Sequence, residues 1–219
     1  MGSEKTFAVV LAGCGVYDGS EIHEAVMTLY AIRKHGAKYK IFAPDIAQHH
    51  VVNHITGEEM AEHRNVLVES ARIARGDIAP LSTFDPATVD CIIFPGGFGA
   101  AKNLSTFAFE GSNCKVNPQV ERAIKLTHGA KKPIGALCIA PVVVAQVLDN
   151  VQLTIGNDKD TVFALEKMGA NHTIANHGEV VVDKNNLVFT TPCYMLDATI
   201  VDIAEGANAI VLEMLKHMK

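Results

Sequence analysis

Short apolar runs alternate with longer helical patterns along this chain. The first of them, residues 6–12, is continuous rather than alternating, which is typical of a strand buried on both faces of a sheet. Three further strands are predicted at residues 40–43, 89–94 and 133–137. The β-α-β order of these segments predicts an α/β fold with a mostly parallel sheet and helices on both faces.

Other patterns place the remaining elements. Residues 179–182 and 187–190 flank a polar turn and predict a small antiparallel hairpin. The first helix is expected to be capped by Ser20 and to end at Gly36, and residues 199–218 predict a closing amphipathic helix.

Composition limits the classes of function. The 219 residues fit a single domain, 1–219, and the formal net charge of −5 argues against a nucleic-acid partner. No apolar run approaches the roughly 20 residues of a membrane helix. Five cysteines without a C-x-x-C pair do not predict a disulfide framework. Because Glu4 and Lys5 lead directly into a strand, no secretion signal is predicted and a cytoplasmic location is expected.

The polar segment 48–80 interrupts this regular alternation. It contains four histidines, His49, His50, His54 and His63, but without a tight metal-binding spacing. We therefore favour a surface excursion near the active site over a zinc site, and no metal is predicted.

The strongest chemical signal is Cys138. It follows the apolar strand 133–137 and precedes a helix, a position at which a side chain is pushed into the crevice at the carboxyl end of a parallel sheet. A helix N-terminus also favours thiolate over thiol. The pattern therefore predicts a cysteine nucleophile, although a small buried cysteine in the core is the usual alternative.

A glycine turn follows the strand 89–94. In the sequence Pro95-Gly96-Gly97-Phe98-Gly99, glycines allow backbone N–H groups to approach a ligand closely. An oxyanion hole formed by the N–H groups of Gly97 and Ile139 is therefore predicted.

The first helix supplies a candidate acid. Glu21 and Glu24 share one face at i, i+3 spacing, and one of them is expected to point at Cys138. Acidic residues in a first turn also simply stabilise the helix dipole, so the other can have that role.

These motifs resemble the ElbB family of the ThiJ/PfpI superfamily, which is related to class I glutamine amidotransferases. The similar segments span the chain and are Gly13 through Glu24, Pro95 through Ser105, Cys138-Ile139-Ala140-Pro141, Thr190-Thr191-Pro192 and Tyr194-Met195. The resemblance implies a flavodoxin-like sandwich, a homodimer, and a cofactor-independent glyoxalase-type activity. ElbB-type proteins have also been associated with isoprenoid biosynthesis.

The resemblance also assigns roles to residues. It implies that Cys138 is the elbow nucleophile, that Glu24 is the glutamate hydrogen-bonded to it, and that Gly96 and Gly97 are the oxyanion glycines. Many relatives place a histidine directly after the cysteine or on the following strand, where this chain has Ile139 and residues 153–156. A Cys-His-acid triad is therefore not expected, and neither His23 nor His177 has a spacing that argues for it.

The expected reaction is the conversion of glyoxal or methylglyoxal, small reactive carbonyl compounds, into a hydroxy acid. Cys138 would form a hemithioacetal while Glu24 shuttles a proton, and no metal, glutathione or nucleotide is needed. The alternatives are a redox or stress-sensing module using Cys138, a partner-binding amidotransferase-like subunit, or a protein deglycase.

Overall fold

A seven-stranded sheet forms the centre of the molecule in the computed structural model, which describes residues 4–218. Its order is β3-β2-β1-β4-β5-β9-β8, and every pair is parallel except β8 with β9. A separate parallel pair is formed by β6 and β7. The strands are β1 Thr6–Val10, β2 Lys38–Ala43, β3 Ala79–Pro80, β4 Cys91–Phe94, β5 Ile134–Leu137, β6 Gln152–Leu153, β7 Asn171–His172, β8 Val181–Asp183 and β9 Val188–Thr191.

Helices cover both faces of this sheet. They are α1 Ile22–Lys34, α2 Val66–Ala74, α3 Phe98–Lys102, α4 Phe107–Glu110, α5 Pro118–Gly129, α6 Pro141–Val147, α7 Lys159–Lys167 and α8 Ile200–Lys216.

Strand β1 shows why the sheet needs two helical layers. Phe7 and Val9 point into a core formed with α1 and α8, whereas Ala8 and Val10 point into a second core formed with α5 and α6. All four side chains are completely buried. Because successive side chains of a strand face opposite sides, a strand that is apolar at every position requires cover on both.

The predicted architecture is confirmed. The flavodoxin-like α/β sandwich is mostly parallel, and the hairpin predicted at residues 179–182 and 187–190 is the antiparallel pair β8–β9. The closing helix is α8, whose capping box joins Thr199 and Asp202.

The predicted cap of the first helix is wrong. The N-cap of α1 is Glu21, whose carboxylate accepts the N–H of Glu24 at 2.7 Å. The hydroxyl of Ser20 instead accepts the N–H of Ala12 at 2.9 Å and so holds the incoming loop against the end of β1. Ser20 is fully buried, and its tertiary hydrogen bond replaces the local one that its residue type suggested.

Segment 48–80 lies against the loop that follows β1. The N–H of Val52 donates to Asp18, and the imidazole of His54 accepts the N–H of Tyr17. The ring of His49 lies at a tilt against the ring of Phe109, and the ring of His50 meets it edge-on. Among residues 4–218, no group of three or more His, Cys, Asp and Glu side chains is arranged to hold a metal ion.

None of the helices in the described part of the chain has the length and apolar character needed to cross a bilayer.

The centre of the sheet leaves no room for a side chain at Gly135 of β5. A Cβ atom there would lie 2.6 Å from the sulfur of Met214 and 2.9 Å from Cγ1 of Ile93. We expect Gly135→Ala to lower the free energy of unfolding by about 1–3 kcal/mol, because it overfills a packed core. Gly129→Ala is the matched control, since a Cβ at the end of α5 meets nothing within 4 Å. Urea unfolding of both variants measures the difference, and equal stabilities would contradict the packing argument.

Candidate active site

Three loops meet at one edge of the sheet, where the adjacent strands β1, β4 and β5 end. The loop after β1 leads into α1, the loop after β4 is Pro95-Gly96-Gly97, and Cys138 comes directly after β5. Since parallel strands present their carboxyl ends at the same edge, this topology brings the predicted site residues together.

Cys138 occupies a sharp strand-to-helix turn. Its φ of 58° lies in the left-handed region, which costs a residue with a side chain about 1–2 kcal/mol. The N–H of Cys138 donates to the carbonyl of Thr191 at 3.0 Å, which fixes the turn to β9. Only 6% of the residue is exposed, and its side chain lines a cavity. Strain of this kind is typical of functional positions.

Glu24 lies in the first turn of α1 and is fully buried beside Cys138. Its carboxyl lies close enough to the Cys138 thiol for each group to shift the pKa of the other. Two backbone donors hold it in place: the N–H of Gly96 at 2.9 Å on Oε2 and the N–H of Tyr194 at 3.3 Å on Oε1.

Gly96 makes this close approach sterically feasible. A Cβ atom at Gly96 would lie 2.5 Å from Cβ of Cys138 and 2.6 Å from Oε2 of Glu24. Because the N–H of Gly96 is engaged by the Glu24 carboxyl, Gly96 faces the acid rather than the sulfur.

Two other backbone donors face the sulfur. The N–H groups of Gly97 and Ile139 lie close enough to the Cys138 sulfur to lower its pKa, so the donors predicted for an oxyanion hole are both found beside the reactive atom. Gly97 has a φ of 97°, a conformation that side chains rarely adopt. The geometry thus brings Cys138, Glu24, Gly96, Gly97 and Ile139 into one cluster.

Burial dominates the electrostatics of the acid pair. It raises the pKa of Glu24 to about 8, with the charge of Glu21 adding to the effect and the donors on the carboxyl opposing it. Burial also raises the pKa of the Cys138 thiol, and the charge of Glu24 raises it further, although the N–H groups of Gly97 and Ile139 act in the opposite direction. The helix N-terminus was expected to lower the pKa of this thiol, but removal from water outweighs it.

A Cys-His-acid triad would place a histidine beside Cys138. None of the residues lining the cavity in the described part of the chain is a histidine. His177 is exposed and interacts electrostatically with Asp202 at the start of α8. His23 is exposed on α1, and its Nδ1 is hydrogen-bonded to the hydroxyl of Tyr194 at 2.8 Å.

The cavity above Cys138 has a volume of about 440 Å³. Its wall is mainly apolar and carries two acidic residues, Glu21 and Asp158. The lining residues are Val16, Glu21, Gly97, Phe98, Ala101, Phe107, Ala108, Cys138, Ile139, Asp158, Thr161, Tyr194 and Met195.

Sequence reasoning assigned no role to Tyr194. The residue stands in a short 3₁₀ turn, Cys193–Met195, that begins two residues beyond β9, and it contributes both a donor to Glu24 and a wall of the cavity. Its position beyond the carboxyl end of a parallel strand was the available signal, because sites form at that edge.

Comparison with known proteins identifies close relatives. The chain is 49% identical to the rat "ES1 protein homolog, mitochondrial". The aligned region spans 95% of this chain and 82% of the rat protein. The chain is 48% identical, with the same coverage of both chains, to the human "glutamine amidotransferase-like class 1 domain-containing protein 3, mitochondrial". No protein-family model matches the chain.

Solved structures agree with these relatives. The chain is similar to an isoprenoid biosynthesis protein with an amidotransferase-like domain from Ehrlichia chaffeensis, with 36% identity, a TM-score of 0.92, and coverage of 98% of this chain and 100% of that one. Glyoxalase III from Candida albicans shares the fold at 12% identity, with a TM-score of 0.62 and 98% coverage of both chains. Drosophila melanogaster DJ-1beta shares it at 17% identity, with a TM-score of 0.58 and coverage of 96% and 90%.

The cytoplasmic location expected from the sequence is wrong, since it is contradicted by relatives that are named as mitochondrial proteins. The composition of a folded domain does not determine its compartment, because compartments are specified by targeting segments that receptors read.

The sequence similarity covers nearly the whole chain, and the fold agrees with it. The chain therefore belongs to the ElbB and ES1 family of class I glutamine amidotransferase-like proteins.

Proposed function

We propose that this protein is a glutathione-independent glyoxalase-type enzyme, which converts glyoxal to glycolate or methylglyoxal to lactate. The observation that carries the proposal is the buried pair of Cys138 and Glu24, with the N–H groups of Gly97 and Ile139 directed at the sulfur. The fold shared with glyoxalase III and DJ-1beta supports this class of chemistry.

The first step requires one negative charge on the pair. Ionised Glu24 accepts the thiol proton, and the resulting thiolate adds to an aldehyde carbon of the substrate. The new C–S bond converts the carbonyl oxygen into an oxyanion near the N–H groups of Gly97 and Ile139. Protonated Glu24 then gives its proton to that oxygen, which forms a neutral hemithioacetal and restores the carboxylate.

The second step moves hydrogen within the bound substrate. Glu24 removes the proton from the carbon attached to sulfur and returns it to the neighbouring carbon through an enediol. One carbon is thereby oxidised to a thioester while the other is reduced to an alcohol. Water then breaks the C–S bond and releases the hydroxy acid. The redox change is internal to the substrate, so the reaction needs no cofactor.

The cavity suggests which substrates fit. At about 440 Å³ it is larger than glyoxal needs, and the apolar side chains of Phe98, Phe107 and Met195 line it. An α-oxo aldehyde with an apolar substituent would bury more surface there, whereas Glu21 and Asp158 would repel an anionic one.

We expect Glu24→Gln to reduce turnover of glyoxal by at least about 100-fold, because a general base is lost. Glu21→Gln should reduce it much less, since the amide oxygen can still accept the N–H of Glu24 that caps α1. The assay is NMR of glycolate formation, with Cys138→Ala as the inactive reference and circular dichroism as the check on folding. Turnover by Cys138→Ala equal to that of the wild type would exclude the proposed function.

The pH dependence of thiol reactivity tests the pair directly. With a pKa of about 8, Glu24 is ionised in roughly a tenth of the molecules at pH 7, so alkylation of Cys138 by iodoacetamide should rise as the pH increases through about 8. Glu24→Gln should move the midpoint to higher pH, because the buried thiol must then ionise without a base. Glu21→Gln should move it to lower pH, because the charge that raises the pKa of Glu24 is gone.

Mass spectrometry after brief labelling at pH 6–10 locates the modified cysteine and gives its rate. The buried thiols of Cys91, Cys114 and Cys193 serve as internal references. Shifts in the same direction for the two variants, or three superimposed profiles, would show that Glu24 is not the base for Cys138.

A further inference from the structure

Glu21, His23 and Tyr194 form a polar chain that connects the cavity with solvent. The hydroxyl of Tyr194 is 2.8 Å from Nδ1 of His23, and Oε1 of Glu21 is 4.0 Å from the same nitrogen. Glu21 and Tyr194 line the cavity, whereas about half of the His23 side chain is exposed. The chain therefore reaches from the cavity wall to bulk water.

The proposed reaction requires a second acid–base group in addition to Glu24, because it moves two protons and not one. In the hemithioacetal, the carbon bound to sulfur carries a hydroxyl and its neighbour carries a carbonyl. In the thioester these two groups are exchanged. One proton therefore passes from carbon to carbon, and a second must pass from the first oxygen to the second.

Glu24 is suited to only one of these transfers. Its carboxyl is fixed by the N–H groups of Gly96 and Tyr194 and faces the Cys138 sulfur. The carbon attached to that sulfur lies within its reach, but Glu24 still holds the first proton while the enediolate exists. A different group must therefore transfer the proton between the two substrate oxygens while the enediolate exists.

We propose that the Tyr194 hydroxyl, held by His23, is a further catalytic residue that transfers this second proton between the two substrate oxygens. The inference rests on the proposed glyoxalase-type function. Tyr194 donates its proton to the enediolate oxygen, and the O–H bond forms there as the phenol O–H bond breaks. The hydroxyl on the sulfur-bound carbon gives up its proton as that carbon becomes the thioester carbonyl. The Tyr194 phenolate, which remains hydrogen-bonded to His23, takes up this proton and becomes a phenol again, so that no atom or electron is gained or lost.

The surroundings keep Tyr194 in its donor form. Burial raises the pKa of its phenol, and the charges of Glu21 and Glu24 raise it further. The backbone of Tyr194 is fixed at the same time by its hydrogen bond to Glu24, so the two acid–base groups keep a constant spacing. This arrangement supplies the function that the absent triad histidine would otherwise have.

The test is a comparison of Tyr194→Phe with Tyr30→Phe, the control on the exposed face of α1. Loss of a positioned acid–base group should lower kcat for glyoxal by about 100-fold with little change in KM. The rate of iodoacetamide labelling at Cys138 should not change, because the relay acts after the thiol has reacted. Tyr30→Phe should match the wild type in all three measurements.

His23 gives a second readout that a structural role would not move. His23→Ala should lower kcat by about 10-fold, and imidazole added to the solution should restore a large part of it, because the site of His23 is open to solvent. His23→Gln, which can keep a hydrogen bond to the Tyr194 hydroxyl, should lower kcat less than His23→Ala does.

The outcomes separate this inference from the proposed function. A wild-type kcat for Tyr194→Phe would overturn the relay alone. So would a parallel loss of iodoacetamide reactivity, which would show that Tyr194 acts only by holding Glu24. A wild-type protein that forms no hydroxy acid from glyoxal would overturn both.

Discussion

The removal of two acids from water is the constraint on which the rest of this site depends. Cys138 and Glu24 touch in a pocket where either charge is unfavourable, and the surrounding backbone supplies the compensation. Two N–H groups support the sulfur and two support the carboxyl, so each acid has donors for its ionised form. The pair is nevertheless mostly uncharged at neutral pH, and Glu24 loses its proton at lower pH than Cys138 does.

The backbone donors are precise because the loops that carry them are joined to each other. In the loop after β1, the carbonyl of Val16 accepts the N–H of Phe98 and the carbonyl of Gly19 accepts the N–H of Gly99, each at 2.8 Å. In the opposite direction, the N–H of Glu21 donates to the carbonyl of Gly96 at 2.9 Å. Main-chain bonds of this kind do not depend on flexible side chains, so they can preorganise a site before substrate arrives.

The fold was predictable from the sequence because strands buried on both faces leave continuous apolar runs, and strand order then brings Cys138 and Gly97 to one edge. Other features depend on tertiary contacts that local patterns do not contain. Ser20 has the residue type of a helix cap but bonds to Ala12 instead. The role of Tyr194 requires the distance between β9 and α1, and the pKa of the thiol requires the depth of burial.

The two donors on Glu24 also determine when the site can exist. Gly96 lies 72 positions along the chain from this carboxyl and Tyr194 lies 170 positions away. Contacts of such long range form late, because loop-closure entropy must be overcome first. Thr191 of β9, which accepts the N–H of Cys138, lies 53 positions beyond that cysteine, so the turn at Cys138 also depends on a long-range contact. An unfolded chain therefore has an ordinary cysteine, and the acid pair is assembled only after these distant segments have come together.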